Sequence, residues 1–169
     1  MANDMNRNLE NLTMMSVPGD KITWRHMESN ADGLYGREGL RYFAIKLDDD
    51  EAAELEELGW PLVWRNVNRD ENEPELMKAF LKVWIKYGTR FPIDIFLVNV
   101  KNNTKTLLDE SDLDSLHIDT KTIDSIDLML RPYYWTYRDQ HGIKAQVQAM
   151  NIRLSQSGLD DGYEIIYKD

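Results

Sequence analysis

The segment Ala79-Phe80-Leu81-Lys82-Val83-Trp84-Ile85-Lys86-Tyr87 alternates without a break, which holds it to an extended strand with two unlike faces. Ala79, Leu81, Val83, Ile85 and Tyr87 form a core stripe. Phe80, Lys82, Trp84 and Lys86 set rings between cations on the opposite face. Rings stack on bases and ammonium groups meet phosphates, the minimum chemistry for holding single-stranded nucleic acid without reading its sequence. The same pattern also suits Phe80 and Trp84 packed beneath a covering helix, with the lysines snorkelling outward.

Similar alternation recurs along the chain. Strands are expected over residues 21–28, 40–47 (LRYFAIKL), 62–67, 93–100 and 105–108, with a tight turn at Asn102-Asn103 between the last two. Residues 1–20 lack a clear period and read as an N-terminal extension closing in a turn at Pro18-Gly19-Asp20. The segment 48–58 predicts a helix, with acids in its first turn and Gly59 at its stop, and 109–116 predicts a helical turn. Two long extended segments, 123–137 and 142–154, follow, and 155–169 form a tail. Seven or so strands with one or two short helices describe a mainly β barrel or sandwich in one domain.

The long pair carries a second chemical signal. Pro132 interrupts the ladder, placing this part of the strand at an edge or a bulge, and four aromatics crowd Tyr133 to Tyr137 beside Arg131. Strict alternation sets Arg131, Tyr133, Trp135 and Tyr137 on one face and Leu128, Leu130 and Tyr134 on the other. Lys144, Gln146 and Gln148 stand on the partner strand, opposite an Ile143, Ala145, Val147 and Ala149 core stripe. Tyr134 is expected to close the barrel mouth as minor core, whereas Tyr133 and Trp135 beside Arg131 are candidates for binding. A third signal is the loop 30–39, where Tyr35 and Arg37 sit among three glycines before Leu40-Arg41-Tyr42. It matches neither phosphate-loop pattern; a mobile glycine-rich segment carrying one ring and one guanidinium suits a flap over a bound strand, and an ordinary hairpin loop with Arg37 paired to Glu38 fits it equally well.

Charge at first opposes a nucleic-acid partner, because the chain of 169 residues carries a net charge of -10. The acids are segregated. Segments 48–57, 70–75 and 109–127 together hold eighteen acids and one lysine, leaving twelve acids against nineteen bases elsewhere, a balance of +7. That segregation permits a basic groove on the strands, and it suits solvated connectors as well.

Catalytic patterns are absent. With no cysteine, disulfides, thiolate metal sites and cysteine nucleophiles are excluded. His26, His117 and His141 lack metal-ligand spacing, and Asp109, Asp112 and Asp114 lack the glycine and terminal glutamate of a calcium loop. There is no nucleophile elbow. No apolar run reaches the length of a bilayer span and the N-terminus has no signal-peptide pattern, so a soluble intracellular protein without cofactor is expected.

The runs Gly36-Arg37-Glu38-Gly39-Leu40-Arg41-Tyr42-Phe43-Ala44, Leu58-Gly59-Trp60, Leu81-Lys82-Val83, Asp127 to Trp135 and Gly142-Ile143-Lys144-Ala145 together resemble small bacteriophage single-stranded DNA-binding proteins of the OB-fold kind. The resemblance covers roughly residues 21–154. It implies an OB-fold-like curved barrel of about five to seven strands, mainly β with minor α, flanked by the extension 1–20 and the tail 155–169. It further implies a non-enzymatic role in phage DNA replication or recombination in the cytoplasm of an infected bacterium, with single-stranded DNA and replication or recombination proteins as partners. Trp84, Tyr133 and Trp135 would stack on bases and Tyr35 would contact the strand from its loop, while Arg37, Arg41, Lys82, Lys86, Arg131 and Lys144 neutralise phosphates. The moderately acidic tail departs from the strongly acidic recruiting tails of some phage binding proteins. Two other readings stay open: an acidic inhibitor or DNA mimic directed at a host DNA-handling or defence enzyme, and a structural phage protein using its β domain for assembly.

Overall fold

Alternation is realised as one curled sheet. The computed structural model describes residues 12–28 and 40–155. Nine strands are present among them: β1 (Thr13–Pro18), β2 (Ile22–His26), β3 (Arg41–Leu47), β4 (Val63–Asn66), β5 (Met77–Ile85), β6 (Asp94–Asn99), β7 (Thr104–Leu108), β8 (Ile123–Tyr137) and β9 (Gln140–Leu154). Two helices join them, α1 (Asp49–Leu58) and α2 (Glu110–Ser115). The strand order is β1-β8-β9-β5-β3-β2, with β4 on β5 and the β6–β7 hairpin on β9, and the sheet curls into a half-barrel of the OB kind.

The strand count exceeds the expected five to seven, mainly because β1, in the segment without a clear period, pairs with β8 from Thr13↔Leu130 to Pro18↔Ser125. Its positions alternate in exposure, but the residue types do not mark them, since Thr13 takes an inner position and Met14 an exposed one, so partner pairing rather than sequence pattern makes it a strand. The turn after it demands Gly19: a Cβ there would lie 1.7 Å from the Ile123 carbonyl oxygen. Pro132 falls just past Leu130, where β1 stops pairing, and so needs no donor on that edge.

Inward side chains of β3, β5, β8 and β9, among them Phe43, Ile45, Leu81, Val83, Leu130 and Val147, are almost fully buried and form the core. Helix α1 caps it with Ala52 and Leu55. Its start is a capping box, the Asp48 side chain accepting from Glu51 N at 2.8 Å while Glu51 accepts from Asp48 N at 3.1 Å. Its stop is Gly59 at φ 100°, in the left-handed region that glycine adopts freely.

The acidic connector 109–127 is tied into the structure. Asp109 and Asp112 form the capping box of α2, Asp114 pairs with Arg41, and Asp119 accepts from Met27 N at 2.8 Å and Glu28 N at 3.1 Å. Asp127 accepts from Arg153 at 2.8 Å and from Ser16 at 3.2 Å, and the Arg153 bond is the main cause holding its carboxyl below the usual range. A depressed folded pKa gives stability that is complete above the unfolded value, about 3.9, and is lost as pH falls through the folded one. Asp127→Asn should therefore flatten the acid limb of stability below about pH 4, read by urea midpoints across pH; an unchanged acid limb contradicts the assignment.

Candidate nucleic-acid interface

The outward positions of five neighbouring strands fall into register. His26 pairs with Tyr42, Tyr42 with Trp84, Trp84 with Gln146 and Gln146 with Arg131, so five side chains form one row across β2, β3, β5, β9 and β8. The rings touch. His26 stacks on Tyr42 with centroids 5.0 Å apart and planes 6° apart, and Tyr42 meets Trp84 at 5.4 Å in a tilted arrangement.

Cations gather on the same row. Lys82 Nζ stands 4.1 Å from the Tyr42 ring centre and 4.4 Å from that of Trp84, and Lys144 Nζ is 4.6 Å from the Trp84 ring. Each position lies within the range of a cation–π attraction. Lys86 is exposed just beyond the end of β5. On the β8–β9 ribbon, Tyr133 pairs with Lys144 and is exposed, while Trp135 pairs with Gly142. The Trp135 indole lies so close over Gly142 that a Cβ there would meet ring atoms at 2.7 to 2.9 Å, which leaves glycine as the residue that lets the ring lie flat.

Arg131 closes the row in an unusual state. It is 7 % exposed, donates to Gln146 Oε1 at 3.1 Å, and its guanidinium lies 4.1 Å from the ring centre of Phe91 in the turn after β5. Among the described residues its Nε is buried without a partner and no carboxylate pairs with it, and burial alone lowers its pKa. A buried cation without a counter-ion is costly, so this one is suited to an anion arriving from outside.

Of the residues singled out in the sequence, Lys82, Trp84, Lys86, Arg131, Tyr133, Trp135 and Lys144 are thus brought together along β5, β8 and β9. Arg41 is corrected. It points to the opposite side, is 3 % exposed, and spends its guanidinium on Asp114 Oδ1 at 2.7 Å, Asp114 Oδ2 at 3.2 Å and the Met27 carbonyl at 2.8 Å. The reason is parity: Arg41 shares the face of Phe43 and Ile45, whereas Tyr42 takes the outward one. Tyr134 is also corrected, being 47 % exposed, because the ribbon outruns β5, whose pairing with β9 stops at Ala145 and Gln146. Tyr35 and Arg37 lie outside the described residues.

Sequence reading missed Tyr42, His26, Phe91 and Gln146. Tyr42 was recoverable, since LRYFAIKL alternates as plainly as β5 does. His26 was not, because a register shift between Thr23 and His26 breaks the period. Among the described residues no three His, Asp or Glu side chains could hold a metal, and no helix is long and apolar enough to cross a membrane.

A family model described as "Putative phage ssDNA-binding domain" matches residues 1–168, and the chain belongs to that family. As a member it is a binding protein and not an enzyme. No curated protein matches the chain. Among solved structures, a C-terminally truncated single-stranded DNA-binding protein from bacteriophage Enc34 is similar, with a TM-score of 0.47 at 11% identity over 88% of each chain.

Proposed function

We propose that this phage single-stranded DNA-binding domain holds its strand on the outward row from His26 to Arg131 and along the β8–β9 ribbon, without regard to base sequence, in phage replication or recombination. Bases stack on Tyr42, Trp84, Tyr133 and Trp135, and phosphates meet Lys82, Lys86, Lys144 and Arg131. The observation that carries this reading is the in-register row of rings ending in a buried arginine that has no counter-ion among the described residues. Two ammonium groups now cover the Trp84 ring, so a base stacking there sends a lysine to the adjoining phosphate and keeps that cation paired.

An acidic mimic needs free carboxylates in an array. Asp109, Asp112, Asp114, Asp119 and Asp127 all accept intramolecular bonds, which removes most of the 109–127 array from that role.

Trp84 is the test residue because it is half-buried on the outer face and not core. Trp84→Ala should weaken binding of a mixed-sequence oligonucleotide by about 1 to 3 kcal/mol, with a loss of stability well below the roughly 3 to 5 kcal/mol of a core aromatic. Thermal melting beside a fluorescence-anisotropy titration decides it. A large fall in melting temperature with unchanged affinity per folded molecule makes Trp84 a packing residue.

A further inference from the structure

A second aromatic stack lies on the same face, one stride along β5 from the row. Phe80 is four residues before Trp84 and shares its outward parity, about 13 Å away at strand rise. The Trp24 ring covers it at 4.5 Å with planes 22° apart, while Trp24 itself is 40% exposed. Phe80, at 6% exposure, is the buried layer and Trp24 the one that faces solvent.

Trp24 reaches that position through a backbone that bulky residues avoid. Its φ is 47°, in the left-handed region, at the register shift between Thr23 and His26. A bulge re-aims a side chain, and a non-glycine residue held at positive φ carries strain that the surroundings must impose. Packing of the ring on Phe80 is what the strain secures.

A cavity of about 490 Å³ opens beside the stack, lined by Trp24, Phe80, Lys46, Arg65, Arg69 and a single carboxylate, Asp20. Lys46 pairs with Phe80 across β3 and β5, and Arg65 pairs with Lys78 across β4 and β5, which sets both on the outward parity. Among the described residues Arg65 bonds only the neighbouring Trp64 carbonyl, at 3.3 Å, and none of Lys46, Arg65 and Arg69 has an ion pair. Three cations against one acid favour a polyanion, and an exposed indole backed by a second ring favours a base.

We infer that Trp24, with Lys46, Arg65 and Arg69, forms a second nucleotide subsite of the single-stranded DNA path, engaged by strands long enough to run from the Trp84 row along β5. The inference rests on the function proposed above and adds the direction of the path. It makes the site longer than the row alone, and it makes affinity depend on strand length at this end.

The test uses the full chain with oligothymidylates of about 4 and about 16 nucleotides, the bounds of an OB-fold site. Trp24→Gly removes the ring and relieves the positive φ, so a folded variant is expected, and Arg65→Ala changes an exposed side chain. Trp24→Gly should lower affinity for the longer strand about 5- to 100-fold and leave the shorter within about twofold. Arg65→Ala should reduce the slope of log affinity against log salt by about one for the longer strand only. Equal loss at both lengths, or full retention at both, with wild-type binding intact, overturns the subsite and leaves the row standing. Failure of the wild type to bind either length overturns both.

Discussion

Arg131→Met should weaken single-stranded DNA binding by about 2 to 3 kcal/mol while leaving the melting temperature unchanged or higher. The two halves have one cause. The guanidinium is enclosed by Gln146 and Phe91 with no carboxylate paired to it among the described residues, so the free protein bears the desolvation of an unmatched charge. Methionine has a similar length, keeps contact with Phe91 and removes that charge, and apolar replacement of buried ionic groups is often neutral or stabilising. The complex loses a phosphate partner held in a low-dielectric setting, where such contacts are strong. At the proposed site Phe91, itself 47% exposed, would be the group to yield to an arriving phosphate. Calorimetric melting and an oligonucleotide titration on one preparation read both halves. A destabilised variant with full affinity would make Arg131 a structural residue.

Arg41→Met should behave in the opposite way, with stability falling by about 2 to 4 kcal/mol and affinity per folded molecule unchanged. Breaking a fully buried ion pair costs about 3 to 5 kcal/mol. The lower range applies because the Asp114 side chain is 41% exposed and water takes over part of the lost interaction. Two bonds to Asp114 and one to the Met27 carbonyl disappear together, releasing α2 from the strand that carries the row. Urea denaturation reads the first half and the same titration the second. A stable variant with weakened binding would return Arg41 to the interface.

These two arginines mark how far the sequence was legible. Parity along an uninterrupted strand is enough to sort the faces of β5, where Phe80 alone of the outward stripe is buried, covered by Trp24 and not by a helix. It would have sufficed for β3 as well, where Arg41 falls on the side of Phe43 and Tyr42 on the other. Cation chemistry alone assigns Arg41 to the interface, and parity prevails because the buried guanidinium finds Asp114. What alternation cannot supply is which strands lie side by side. The row exists because β5 and β9 run parallel and bring Trp84 beside Gln146, a pairing between residues more than sixty apart in sequence. Bulges hid the rest. The shift at Thr23 and His26 re-aims Trp24, and the shift opposite Met129 and Leu130 leaves Gln148 as the extra residue and resets the phase of β9 just before Gln146. β1 was concealed for another reason, since an edge strand paired on one side carries little pattern of its own.

Affinity of the wild-type chain for one mixed-sequence oligonucleotide, single-stranded and as a duplex, across a series of salt concentrations bears most directly on the outward row as a single-strand site. Stacked rings need unpaired bases and the surrounding cations release counterions, so the single strand should bind much more tightly than the duplex, with log affinity falling linearly against log salt. Equal affinity for both forms, or a single-strand affinity indifferent to salt, would contradict the account.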